Sequence, residues 1–151
     1  MRYLTKTDVV EVAGLTDKEV RTLCNIGVPS EGGEGHGNHR KFTVMMTVGF
    51  AVAAKLRQLD RRYTMDYTAK VVTAFGSLTE RKLQKLFDEG RTHFVNYITG
   101  AGTPVLDRKK YDWIDVKGTY DEILAKIEEI EQRFSNFVGG RPRGLANKQS
   151  S

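Results

Sequence analysis

Residues 4–43 decide the fold of this chain, and they read LTKTDVVEVAGLTDKEVRTLCNIGVPSEGGEGHGNHRKFT. They contain two helix-start signals, because Thr5 is followed three residues later by Asp8, and Thr16 three residues later by Glu19. In such a capping box, the hydroxyl and the carboxylate satisfy backbone N–H groups that the first turn of a helix leaves unpaired. The spacing predicts two short helices, one directly after each threonine.

Gly14 stands where the first of these helices must end. A glycine there can adopt the left-handed conformation that costs other residues about 1 kcal/mol or more. Apolar residues recur at helical spacing on both sides of it, so each helix is predicted to bury one stripe. These residues are Val9, Val12, Ala13, Val20, Leu23 and Cys24. Two capped helices joined by a glycine turn predict a helix-turn-helix.

The second helix leaves four polar residues outside its apolar stripe: Lys18, Arg21, Thr22 and Asn25. In a helix-turn-helix this outer face of the second helix enters the major groove, where such side chains reach base edges or phosphates. The alternative is an ordinary solvated helix face. These residues alone fit both interpretations equally, and the stretch that follows favours DNA binding.

A glycine-rich stretch with a basic end follows the second helix, GVPSEGGEGHGNHRKFT over residues 27–43. It cannot bury a core, so it is either a loop or a wing. A wing is a two-stranded hairpin that lies along the phosphate backbone, with glycines at positions that need positive φ. His39, Arg40 and Lys41 on its returning strand would then bind phosphate without reading sequence.

These residues resemble the MerR family of winged helix-turn-helix regulators over roughly the first sixty residues. Residues 14–28, GLTDKEVRTLCNIGV, are similar to the family's pattern of a glycine, a small hydroxyl residue (Thr16), an arginine seven residues after the glycine, and a second glycine that opens the wing. HRKFT, residues 39–43, resembles the end of that wing. The chain departs from the pattern at Leu23, where an aromatic residue is usual, and at the acidic wing residues Glu31 and Glu34.

The resemblance implies specific roles for several residues. Arg21 would contact the DNA backbone or a base edge from the second helix, and Arg40 would hold a phosphate from the wing, with His39 and Lys41 beside it. A loop after the third helix also helps to hold phosphate in that family, which makes two further arginines secondary candidates, Arg61 and Arg62. The candidate DNA-binding set is thus Thr16, Lys18, Arg21, Thr22, Asn25, His39, Arg40, Lys41, Arg61 and Arg62.

Two other functions stay open. The same stretch resembles, less closely, the winged-helix domains of phage small terminase subunits and of excisionases, which mark a DNA site for a packaging motor or a recombinase. The acidic residues of the wing support a third hypothesis, in which the protein is a protein-interaction adaptor that does not bind DNA.

The rest of the chain predicts further helices and a short β segment. Thr43, Thr64 and Thr79 each precede a helical pattern, and in the first of these helices Gly49 would let a neighbouring helix approach closely. Residues 91–116 are rich in β-branched and aromatic residues around a GAGTP turn and predict one hairpin or two short strands. Their interleaved aromatic and basic residues could stack on the bases of a single-stranded nucleic acid, but the pattern is more typical of a half-buried sheet.

The C-terminal helix carries a heptad seam. A capping box of Thr119 with Glu122 predicts its start, and six residues follow at spacings of three and four. They are Tyr120, Ile123, Ile127, Ile130, Phe134 and Phe137. The seam is too short to be stable alone, so it must pack on its own chain or on a second subunit. The resemblance favours a homodimer, which would present two winged modules to a palindromic site.

The expected fold class is mainly α with a small β component. The expected domains are a winged helix-turn-helix (1–60), a helical and β-hairpin connecting region (61–118), a dimerisation helix (119–138) and a disordered basic tail (139–151). Net charge is +5 over 151 residues, and it favours acidic partners. Residues 1–60 contribute only +1 of it and residues 61–118 contribute +4.

Neither catalytic motifs nor cofactor motifs occur in the sequence, so we expect no enzyme activity and no cofactor. Cys24 is the single cysteine, and a metal site that combined it with His36 and His39 is disfavoured because the wing would have to fold back onto the helix. The N-terminus lacks an apolar signal segment. We therefore expect a cytoplasmic, nucleoid-associated protein that binds double-stranded DNA, with no membrane partner and RNA polymerase as a candidate second partner.

Overall fold

A computed structural model describes residues 3–28, 40–59, 63–98, 103–109 and 113–139, with the backbone alone for 96–98 and 136–139. The described chain is mainly helical, with six helices: α1 (Lys6–Ala13), α2 (Asp17–Ile26), α3 (Val44–Leu59), α4 (Met65–Gly76), α5 (Glu80–Asp88) and α6 (Val116–Gly139). Five strands accompany them: β1 (Tyr3–Leu4), β2 (Phe42–Thr43), β3 (His93–Ile98), β4 (Pro104–Asp107) and β5 (Ile114–Asp115). The expected class, mainly α with a small β component, is confirmed.

Threonine side chains cap the starts of five of the six described helices, as predicted from the sequence. Thr5 and Thr16 form complete capping boxes with Asp8 and Glu19, and Thr64 and Thr79 accept hydrogen bonds from backbone N–H groups in the first turns of α4 and α5. Thr43 acts similarly for α3, because its hydroxyl accepts from the N–H of Met46 at 3.1 Å. Gly14 ends α1 at φ 78°, the left-handed conformation expected of it.

A short antiparallel strand pair connects the start of the chain to the entry of α3. β1 pairs with β2 so that Leu4 lies opposite Phe42 and Tyr3 opposite Thr43. Phe42 is fully buried and packs edge-on against Phe50 of α3, with ring centroids 5.6 Å apart. The sequence did not predict β1, because two residues are too few to show an alternating pattern.

The core lies around α3, which is buried along nearly its whole length and packs most extensively on α4. Gly49 makes this approach possible. A Cβ built on Gly49 would lie 2.9 Å from Cα of Val72 and 3.0 Å from the Val72 carbonyl oxygen, so the backbones of α3 and α4 nearly touch there. The close approach predicted at Gly49 is confirmed.

Strands β3, β4 and β5 form one antiparallel sheet in the order β4-β3-β5. The predicted hairpin is present as β3 and β4, while β5 on the other edge was not predicted. Each strand buries at least one apolar side chain, namely Phe94, Leu106 and Ile114. His93 and Pro104 are buried as well, and the ring of Phe94 packs on Phe75 of α4. This burial agrees with the half-buried sheet that the sequence favoured over a stacking surface.

The C-terminal helix begins at Val116, so the predicted start at a Thr119–Glu122 capping box is wrong. The carboxylate of Asp115 accepts a hydrogen bond from the N–H of Gly118 at 2.9 Å and thereby provides the cap. Thr119 instead lies in the first turn, fully buried. Its hydroxyl donates to the carbonyl oxygen of Asp115 and accepts from Nζ of Lys55, both at 2.7 Å.

Replacing Thr119 with valine should therefore destabilise the fold by about 1–3 kcal/mol, because Lys55 loses a buried acceptor. Urea unfolding followed by circular dichroism measures the loss. The same change at Thr73 of α4, whose side chain is exposed, is the matched control and should stay within about 0.5 kcal/mol of wild type. Equal stability of the two variants would contradict the role of the buried hydroxyl.

By compactness the chain divides into residues 1–120 and 121–151. The functional division made from the sequence, with boundaries at residues 60, 118 and 138, stays a prediction. No helix in the described ranges is long and apolar enough to span a bilayer.

Candidate nucleic-acid interface

The polar face of α2 is exposed, as the sequence predicted. Val20, Leu23 and Cys24 are buried, while Lys18, Arg21 and Asn25 are exposed, and Thr22 is half-buried beside them. At 100° per residue, Arg21, Asn25 and Lys18 fall next to one another around the helix axis. These three exposed polar side chains therefore share one face of α2.

Lys6 and Arg21 both bind the carboxylate of Asp17, at the start of α2. Nζ of Lys6 lies 3.0 Å from Oδ1 of Asp17, and Nη2 of Arg21 lies 2.9 Å from Oδ2. The hydrogen bond from Lys6 lowers the pKa of Asp17, and Arg21 acts in the same direction. All three side chains are 40% or more exposed, so water screens these ion pairs and they contribute little to folding.

Arg40 meets the other end of the same helix. Its side chain is half-buried. Burial raises the pKa of the Cys24 thiol, while the nearby positive charges of Arg40 and Lys6 oppose that rise. Lys6 and Arg40 therefore approach α2 from the same side.

These contacts follow one stripe of α2, because Asp17, Arg21 and Cys24 are spaced by four and three residues and lie on one side of the helix. We call Lys6, Arg21 and Arg40, which lie on this stripe or beside it, the basic edge. Cations from α1, α2 and the segment before β2 thus come together along one line. A row of cations beside an exposed polar helix face is suited to a polyanion such as a nucleic-acid backbone.

The remaining candidates are placed differently. Thr16 is exposed, but its hydroxyl caps α2 by accepting from the N–H of Glu19 at 3.1 Å. Lys41 is exposed next to β2. His39, Arg61 and Arg62 lie outside the described residues, as do most of the predicted wing and the C-terminal tail.

Sequence reasoning missed Lys6 and Asp17 as members of the site. The pairing of Asp17 with Arg21 was detectable, since acidic and basic residues four apart on a helix attract each other. Lys6 carried no such signal, because it lies eleven residues from Asp17 in the sequence. Only the fold of α1 against α2 brings its ammonium group to the carboxylate.

The residues of the predicted dimerisation seam differ in how exposed they are along α6. Ile123 and Ile127 are buried, at 1% and 4% exposure. Ile130 is half-buried and Phe134 is 68% exposed. Tyr120 is half-buried, and its hydroxyl donates to Oε1 of Glu80 at 2.6 Å. The side chain of Phe137 lies outside the described part of the chain.

Comparison of the chain with models of known protein families and with curated proteins found no match in either case.

Proposed function

We propose that this protein binds double-stranded DNA through a winged helix-turn-helix and acts as a dimeric, MerR-like regulator of transcription. In this proposal, α1 and α2 form the helix-turn-helix, and α2 lies in the major groove with Lys18 and Asn25 towards the bases and Arg21 towards the DNA backbone. The segment that ends at Arg40 and Lys41 is the wing, and it lies on the phosphate backbone.

The observation that carries the proposal is the basic edge. Lys6 and Arg40 come from segments outside α2, and they act on Asp17 and Cys24, which lie with Arg21 along one stripe of that helix. In a helix-turn-helix, phosphate contacts that flank the recognition helix fix its position in the groove, while the helix itself reads sequence.

The strand pairing supports the position of the wing. Arg40 and Lys41 come directly before β2, and β2 pairs with β1, which in turn leads directly into α1. The base of the proposed wing is therefore held beside the first helix of the module. Val28, at the other end of the glycine-rich segment, is buried and donates its backbone N–H to the carbonyl oxygen of Leu23.

The proposed dimer would form through α6. Phe134 and Ile130 belong to the heptad seam and stay at least partly exposed, which is the pattern expected where a second copy of the helix packs. A two-fold pair would carry two recognition helices, and these would bind a palindromic site.

Replacing Arg21 or Arg40 with alanine tests the proposal. Each variant should bind duplex DNA about 10-fold more weakly at low salt, because each loses one charge-assisted phosphate or base contact worth about 1–3 kcal/mol. Fluorescence anisotropy with labelled duplex, titrated over a range of salt concentrations, measures the affinity and its salt dependence. Loss of one phosphate contact should also make the slope of log K against log salt shallower by about 0.9.

Arg81→Ala is the matched control, because Arg81 is exposed on α5 and carries the same charge on an element outside the proposed interface. It should bind DNA nearly as the wild type does. Circular dichroism confirms that all three variants are folded. If the wild type binds no duplex at low salt, or if Arg81→Ala weakens binding as much as Arg21→Ala, the proposal is wrong.

A further inference from the structure

Asp17 has an unusual position for a protein proposed to bind a polyanion. Its carboxylate lies on the basic edge and bridges two of the three cations there, with one oxygen on Lys6 and the other on Arg21. It is 51% exposed, so its negative charge faces solvent on the side that would meet DNA. Such a charge repels phosphate and at the same time occupies the donors that phosphate needs.

The geometry resembles an anion site that is already filled. Two donors, an ammonium and a guanidinium, converge on two oxygens of one anionic group at 3.0 and 2.9 Å. A phosphate group presents oxygens with a similar spacing to the same kinds of donor. We infer that Lys6 and Arg21 form a clamp for one phosphate of the DNA backbone, and that Asp17 fills this clamp in the free protein and is displaced when DNA binds. This inference rests on the proposed function.

The exchange is energetically feasible. Exposed ion pairs of this kind contribute little to stability, so breaking both with Asp17 costs little when a phosphate replaces the carboxylate. The repulsion between phosphate and the released carboxylate remains, however. Asp17 therefore lowers the affinity for every duplex regardless of sequence, because phosphate contacts carry no sequence information. Lys6 thereby becomes a DNA-binding residue, and Asp17 becomes a residue that limits nonspecific binding.

Asp17→Asn tests the inference. The amide keeps the size of the side chain but removes its charge, so affinity for a random-sequence duplex at low salt should rise about three- to tenfold. The slope of log K against log salt should become steeper, because no carboxylate then competes with phosphate for Lys6 and Arg21. Asp88→Asn on α5 is the matched control for net charge, because Asp88 is exposed and accepts from Nε2 of Gln84. It should change the affinity less than twofold.

A double-mutant cycle with Lys6→Ala identifies the cation that Asp17 holds. In the wild type this change should weaken binding less than in the Asp17→Asn background, because in the wild type DNA must first release Lys6 from Asp17. In the Asp17→Asn background it should remove most of the gain, and the two effects should be non-additive.

The outcomes separate the two proposals. If the wild type binds duplex and Arg21→Ala weakens it, but Asp17→Asn leaves binding unchanged or weaker, the clamp is wrong and DNA binding stands. A gain equal to that of Asp88→Asn would also overturn the clamp, because bulk charge would then explain it. Failure of the wild type and every variant to bind duplex would overturn both.

Discussion

Replacing Gly49 with valine should lower the free energy of unfolding by about 3 kcal/mol or more, because overpacking a close helix contact forces the backbone to move. The new Cβ would lie 2.9 Å from Cα of Val72 and 3.0 Å from its carbonyl oxygen. These are backbone atoms of α4, which cannot rotate away as a side chain can. Thermal and urea unfolding followed by circular dichroism would measure the loss.

Alanine at Gly49 separates packing from helix propensity. Propensity alone predicts that alanine in a helix interior stabilises by about 1 kcal/mol relative to glycine, whereas the contact with Val72 predicts a net loss. Gly76→Ala is the matched control. Its Cβ would meet Cγ of Met46 at 2.8 Å, and the flexible methionine side chain can move away, unlike the backbone of Val72. It should cost less than Gly49→Ala. A stabilising Gly49→Ala would contradict the close approach of α3 and α4.

Replacing Phe75 with alanine should destabilise the protein by about 3–5 kcal/mol, the usual cost of removing a large buried aromatic side chain. Phe75 is fully buried on α4, and its ring lies 5.7 Å from that of Phe94 on β3. It therefore joins the helical core to the three-stranded sheet. Urea unfolding would give the loss in stability, and hydrogen exchange would show whether protection of the β3 amides falls with it.

Phe134→Ala is the matched control for the buried phenylalanine. Phe134 is 68% exposed on α6, so its removal at low protein concentration should change stability by no more than about 0.5 kcal/mol. Equal losses from the two substitutions would mean that burial of Phe75 is not what makes it important. At high protein concentration the same variant bears on the proposed dimer, because a stability difference that grows with concentration indicates that α6 packs on a second copy.

The parts of the fold that the sequence predicted are those governed by local interactions. Capping by Thr5, Thr16, Thr64 and Thr79 involves groups three residues apart, so it can be detected without knowing the fold. β1 and β5 were missed because each has two residues and exists only through its pairing with a distant strand. The start of α6 was misplaced for a related reason, since Thr119 matches a cap in sequence but is buried against Lys55.

The same distinction between local and long-range interactions applies to the candidate site. The exposure of Lys18, Arg21 and Asn25 follows from helical spacing, so the sequence could predict it. The contacts of Lys6 with Asp17 and of Arg40 with Cys24 depend on the tertiary arrangement of α1, α2 and the segment before β2. No pattern of spacing predicts such contacts, and they determine which cations align.

The pairing of β1 with β2 has a consequence for how this part of the molecule opens. Leu4 lies opposite Phe42, and the ring of Phe42 is inserted against Phe50, so the strand pair is fastened to α3. Detaching α1 from α3 would break the strand hydrogen bonds and expose both rings in a single event. The amides of β1, α1 and the first turns of α3 should therefore share a similar opening free energy in hydrogen exchange.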